Sequence, residues 1–109
     1  MHKLNKIKTV INGQEVTVEQ DSQTGLFFTR QNTGNIPVDY ATISDRVTIG
    51  QCIKYWRLRH GYSQAELAER IGVASPNVVA MWENERRKPQ KQNRLRLAEQ
   101  LGYDILTKD

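Results

Sequence analysis

The stretch Ser63–Pro89, SQAELAERIGVASPNVVAMWENERRKP, constrains the fold most. Ser63 and Glu66 form S-x-x-E. In that pattern the serine oxygen takes an orphan N–H of a helix start and the glutamate reaches back to the serine's own N–H. Apolar residues follow at Ala65, Leu67, Ala68 and Ile71, a helical spacing with one buried stripe. Gly72 supplies the left-handed stop. Ser75-Pro76 opens a second helix: serine suits the cap, and proline at the first helical position gives up only an N–H that would be an orphan. Val79 and Trp82 stand three apart and face back toward the first helix. Pro76, Asn77, Val78, Ala80 and Met81 fall on the opposite, open side of the early turns.

A short helix, a glycine turn and a second helix with a free outer face make a helix-turn-helix. With IGQCIKYWRLRHGY before it and NRLRLAEQLGYD after it, the stretch resembles the Xre family of Cro and phage-repressor-type DNA-binding proteins, over roughly residues 48–105. The matching features are S-Q-x-E-L-A, the turn glycine, W-E-N, a basic loop closed by proline and L-x-L-A-x-x-L-G. The chain departs from the family pattern in three places. The turn Gly72-Val73-Ala74-Ser75 is one residue longer than the usual one. Glu85 stands where glycine usually follows the second helix. Lys91 and Arg94 replace positions that are often apolar.

The resemblance implies double-stranded DNA as partner, bound by a homodimer. The second helix of such a motif enters the major groove N-terminus first. The expected base-reading residues are therefore Pro76, Asn77, Val78, Ala80 and Met81, with the Asn77 amide suited to adenine N6 and N7. Expected phosphate contacts are Gln64, Ser75, Asn84, Arg86, Arg87 and Lys88, which position the motif without reading sequence. Glu83 is expected to bond within the fold, and Trp82 to be core.

Charge agrees with this division. Of 109 residues, 1–47 carry five basic and five acidic side chains, whereas 48–109 carry eleven and seven, so the net charge of +4 lies entirely on the second part. A basic excess there suits a polyanion. The single cysteine, Cys52, precludes an intramolecular disulfide and a cysteine-rich zinc site, and is read as a small packed residue. No apolar run approaches the ~20 residues of a membrane span, so no membrane association is expected. A reducing cytoplasm fits.

The rest of the chain supplies a smaller element. Lys6–Ile11 and Gln14–Gln20 flank Asn12-Gly13, a strong hairpin signal. A two-residue loop would set Ile7 opposite Val18, Thr9 opposite Val16, Lys8 opposite Thr17 and Lys6 opposite Glu19. Leu26–Gln31 reads as a third strand after an Asp21–Gly25 turn, and Thr33–Pro37 as a polar linker. In the segment Val38–Val47, either Ser44-Asp45 caps a short helical turn or the chain stays extended to Thr48. Thr48-Ile-Gly-Gln51 is another capping box. It opens a helix to about His60 with a stripe at Ile49, Ile53 and Trp56. A last helix from about Gln92 to Leu101 offers Leu95, Leu97, Ala98 and Leu101 to the core.

The expected class is α+β: a small antiparallel β-meander and linker over 1–40, then a four- to five-helix Cro/repressor-like bundle over 41–109. Two functions follow from the resemblance. One is a transcriptional regulator, a repressor binding a palindromic operator as a dimer. The other is an antitoxin of a toxin–antitoxin pair, whose N-terminal segment binds the toxin protein while its helix-turn-helix autorepresses. RNA binding through Phe27, Phe28 and Arg30 is a third use of the meander. Nothing points to an enzyme, cofactor or metal: His2 and His60 have no evident partners, and no Ser/His/Asp arrangement or glycine-rich phosphate loop stands out.

Overall fold

The chain turns at Asn12-Gly13, with φ of 52° and 79°, the left-handed values a two-residue hairpin turn requires. In the computed structural model, which describes residues 6–31, 33–102 and 105, the flanking strands are β1 (Ile7–Ile11) and β2 (Gln14–Gln20). Their register pairs Ile7 with Val18, Lys8 with Thr17 and Thr9 with Val16. A slip of one residue would turn Val18 away from the core. β1 begins after Lys6, so the expected Lys6–Glu19 pairing is not part of the ladder; Glu19 instead holds Arg30 at 3.0 Å.

The Asp21 carboxylate accepts the Gln23 and Thr24 N–H groups at 2.7 and 2.8 Å and turns the chain into β3 (Phe27–Gln31). The expected linker is a fourth strand, β4 (Gly34–Val38). Gly34 takes φ 122° to start it, and Pro37 is tolerated because β4 is an edge of the order β1-β2-β3-β4. The meander thus has four antiparallel strands. Asp39 then caps the short α1 (Tyr40–Ile43) through the Ala41 N–H at 3.3 Å. The cap lies five residues earlier than Ser44.

Ile7, Val18, Phe27, Tyr40, Ile43 and Val47 are buried. Ile7, Val18 and Phe27 share one sheet face, and Tyr40 lies against Phe27 with ring centroids 6.1 Å apart. Phe27 is only 2% exposed, which removes it from any base-stacking surface and takes away the central aromatic of the RNA reading.

The chain divides into two compact units, Met1–Val47 and Thr48–Asp109. The second holds α2 (Ile49–Arg59), α3 (Gln64–Ile71), α4 (Pro76–Glu83) and α5 (Lys91–Leu101). Thr48 and Gln51 form the predicted capping box on α2. α4 packs on α2 and α3, and α5 packs on the same two helices. Ile49, Cys52, Ile53, Leu67, Ala68, Ile71, Val79, Trp82, Leu97, Ala98, Leu101 and Ile105 are buried.

Three expectations for this core fail. Ala65 is exposed, because Leu67, Ala68 and Ile71 alone set the inward face of α3. Trp56 is only half-buried, and the stripe of α2 continues from Ile49 and Ile53 to Arg57 instead. Leu95 is 47% exposed: Leu97, Ala98 and Leu101 set the inward face of α5, and Leu95 lies two residues, about 200°, from Leu97. Beyond Gly102, only Ile105 lies within the described residues.

Candidate nucleic-acid interface

Local sequence fixes both helices of the motif. On α3, the Ser63 hydroxyl accepts the Glu66 N–H at 3.0 Å and the Glu66 carboxylate accepts the Ser63 N–H at 2.8 Å. The Ser63 backbone N–H first, and then the Ser63 side chain, hold the Glu66 carboxyl below its ordinary value, and nearby Arg70 adds to the effect. Gly72 ends α3 at φ 88°, ψ 25°, and the Gly72 and Val73 N–H groups both donate to the Ala68 carbonyl. The Arg96 guanidinium donates to the Ile71 carbonyl at 3.2 Å and so satisfies a last-turn acceptor of α3.

Ser75 occupies the N-cap position of α4, with Pro76 at its first turn, but the Ser75 side chain makes no cap hydrogen bond. The expected serine cap is therefore not formed. Val79 and Trp82 are buried. On the other side Pro76 and Asn77 are exposed, while Val78, Ala80 and Met81 are half-buried. Of the expected base-reading residues, Pro76 and Asn77 thus stand outward, while Val78, Ala80 and Met81 lie on the flanks of a helix whose other face is committed to the core.

A buried polar cluster sets the orientation of that helix. Arg57 of α2 clasps Glu83 at the end of α4 with two parallel bonds, Nε to Oε2 at 2.6 Å and Nη2 to Oε1 at 3.1 Å. Their side chains are 8% and 6% exposed. Arg57 also donates to the Tyr62 carbonyl at 2.8 Å, ahead of α3. The Gln64 amide, at the start of α3, donates to Glu83 Oε1 at 3.1 Å. One carboxylate therefore gathers α2, α3 and α4. Glu83 does bond within the fold, and Gln64, expected at a phosphate, has one amide N–H committed to Glu83.

The chain after α4 folds back on itself. The Arg86 and Arg87 N–H groups both donate to the Met81 carbonyl, and the Asn84 side chain accepts the Arg86 N–H at 3.2 Å. Asn84, Arg86, Arg87 and Lys88 are exposed, and the buried Pro89 closes the loop. Between them Glu85 sits at φ 66°. Its carboxylate accepts from the Thr48 hydroxyl and the Gly50 N–H, both at 2.7 Å.

Sequence reading missed two of these features. For Arg57 the signal was its place on the α2 stripe, four residues after Ile53. For Glu85 it was the departure from glycine, with nothing to point to α2, 35 residues back.

A capped α3, a left-handed glycine turn, an outward start of α4 and an adjacent basic loop define a DNA-binding helix-turn-helix domain. Residues 53–107, half of the chain, match the family model described as Helix-turn-helix, and the chain belongs to this Xre-type family of DNA-binding regulators. No curated protein and no solved structure matches it. Among the described residues, no cluster of three or more His, Cys, Asp or Glu could hold a metal, and no helix is long and apolar enough to cross a membrane.

Proposed function

We propose that the protein is a sequence-specific transcriptional repressor that binds a palindromic operator as a homodimer, in a Cro/repressor-like arrangement. The observation that carries this reading is α4. Its inward face is fixed by Val79, Trp82 and the Glu83–Arg57 pair, while Asn77 stands exposed on its first turn. A helix held this firmly can carry side chains into the major groove in one register. Asn77 reads adenine, with Pro76, Val78, Ala80 and Met81 as apolar neighbours that sense thymine methyl groups. Gln64 through its second amide N–H, Ser75, Asn84, Arg86, Arg87 and Lys88 hold the phosphates. Such a protein works in the cytoplasm.

A second reading, an antitoxin that represses its own promoter, is favoured by the first unit. That unit carries no net charge and ends in two edge strands, β1 and β4. An edge offers unpaired N–H and C=O groups to a strand of a partner protein. Here the sheet binds the toxin and the helices bind DNA.

The test is selection of bound duplexes from a random pool by the full chain. The expected result is an inverted repeat whose half-site centres lie about one helical turn, ~10 base pairs, apart. An enriched site without a repeat overturns the dimeric operator, and absence of any enriched motif overturns sequence-specific binding. A toxin that co-purifies and binds through 7–38 would move the choice to the antitoxin.

A further inference from the structure

Glu85 holds a backbone position that suits glycine. With φ 66° it stands in the left-handed region after α4. Its own N–H donates to the Trp82 carbonyl at 3.3 Å, and the Arg86 N–H donates to the Met81 carbonyl at 2.9 Å. This pair of bonds is a Schellman ending, in which a side chain at the left-handed residue is strained. The backbone therefore gives no reason for a glutamate here, and the side chain does. Glu85 Oε2 accepts the Gly50 N–H and the Thr48 hydroxyl, at the positive end of α2 where first-turn N–H groups lack helical partners. The Thr48 hydroxyl accepts the Gln51 N–H at 3.1 Å at the same time, and the Gln51 side chain accepts the Thr48 N–H at 3.0 Å. The carboxylate thus completes a cap that α2 only begins.

Gly50 is part of the same device. A Cβ there would lie 2.5 Å from the Trp82 carbonyl oxygen and 2.7 Å from that of Glu83. Only glycine lets the first turn of α2 come this close to the last turn of α4.

We infer that Glu85 is a positioning residue for DNA binding. Its carboxylate ties the turn bearing Asn84, Arg86, Arg87 and Lys88 to the start of α2 and so fixes the angle at which that basic loop meets the phosphates. The inference rests on the DNA-binding reading above. It also carries a sign that bare electrostatics does not. Removing a carboxylate beside a DNA-facing loop should strengthen binding through charge alone, and it would expose an anion-accepting helix start. Removing a tether weakens binding.

Two variants separate these effects. Glu85→Gln keeps an acceptor oxygen for Thr48 and Gly50 and removes the charge. Glu85→Gly removes the tether and relaxes the backbone. Dissociation constants are measured for the full chain on the duplex enriched from a random pool, across a sodium chloride series, with thermal unfolding of the free proteins alongside. Glu85→Gly is expected to unfold at the same or a higher temperature. It should bind about tenfold more weakly with the salt slope reduced by about one, the loss of roughly one charge-assisted phosphate contact. Glu85→Gln should stay within about twofold of the wild type, because the hydrogen bonds are kept. In the free protein the Gly50, Arg86 and Arg87 amides should exchange faster in Glu85→Gly than in Glu85→Gln. Binding by Glu85→Gly equal to or tighter than wild type overturns the inference and leaves the DNA reading standing, and so does unchanged amide exchange. A wild-type chain that binds no duplex overturns both.

Discussion

The two units each carry an arginine–glutamate pair, and the pairs do different things. In the sheet, Arg30 meets Glu19 at 3.0 Å, but the Arg30 side chain is 69% exposed and lies over the Phe28 ring, 5.7 Å from its centroid. The Glu19 side chain is 11% exposed, but water reaches the Arg30 end of the pair, and its two strands are already held by their backbone ladder. In the helical unit, Arg57 meets Glu83 at 2.6 Å with both side chains under a tenth exposed. There is no ladder between helices. Their relative placement has to come from side chains, and apolar packing alone tolerates repacking at some cost in uniqueness. A bidentate ion pair whose cation also holds a backbone carbonyl admits far fewer arrangements. The sheet needs its register fixed, which a turn and an alternating pattern accomplish. A helix that is to enter a groove, as proposed for α4, needs its axis and rotation fixed, and buried polar contacts join α4 to α2 and α3 in this chain.

If so, the two pairs respond unequally to truncation. Arg57→Ala leaves Glu83 buried without its cation and should cost about 3–5 kcal/mol of unfolding free energy. Arg30→Ala should cost no more than about 1 kcal/mol. Urea unfolding followed by far-ultraviolet circular dichroism measures both. Equal losses would break the comparison at its base.

The next effect tests whether the sheet depends chiefly on its one covered face. Val18 has no exposed surface and stands at the centre of that face, between Ile7 and Thr29. Val18→Ala should cost about 1.5–3 kcal/mol. The loss should appear as reduced amide protection over β1 to β4, with α2 to α5 retaining theirs. Loss of protection in both units together would show that they unfold as one body, and the contrast would then concern local chemistry alone.

On DNA the expected changes belong to the helical unit, and there they divide by role. Asn77→Ala should lose about 1–3 kcal/mol of discrimination at a single base position. Arg87→Ala should weaken all duplexes alike and lower the salt slope by about one. Parallel binding titrations on the selected site and its single-base variants separate the two. An unchanged ranking for Asn77→Ala would mean that α4 sits in the groove in another register.

Legibility from sequence followed the same division. The β1–β2 register could be read because Asn12-Gly13 dictates loop length and the alternation dictates the face. β4 was hidden by Gly34 and Pro37, which mark a linker in isolation and an edge strand only once β3 is there to pair with. The outward face of α4 was legible by subtraction, since Val79 and Trp82 claim the other side. Leu95 misled because α5 carries more apolar residues than its inward stripe holds. The polar contacts that orient the site were the hardest to see: Arg57 and Glu83 lie 26 residues apart, and Gly50 and Glu85 lie 35 apart. Periodicity reports which face a residue is on. It carries no information about which distant partner satisfies a charge there.

The smallest effect separates the units by pH. The capping bonds from Ser63 hold the Glu66 carboxyl below its ordinary value, so the folded chain favours the charged form more than the unfolded chain does. The resulting contribution is fully present above that ordinary value of 4.5 and is lost as pH falls through it toward the lower folded value. The stability difference between wild type and Glu66→Gln should therefore be flat from neutrality to about pH 5 and shrink below it. Gly13→Ala offers the opposing case. It forces a side chain onto φ 79° in the hairpin and removes no titrating group, so its loss should not vary over the same range. A Glu66→Gln difference that widened on acidification would mean the carboxylate is no better satisfied in the folded helix start than in the open chain, whatever the hydrogen-bond lengths at Ser63.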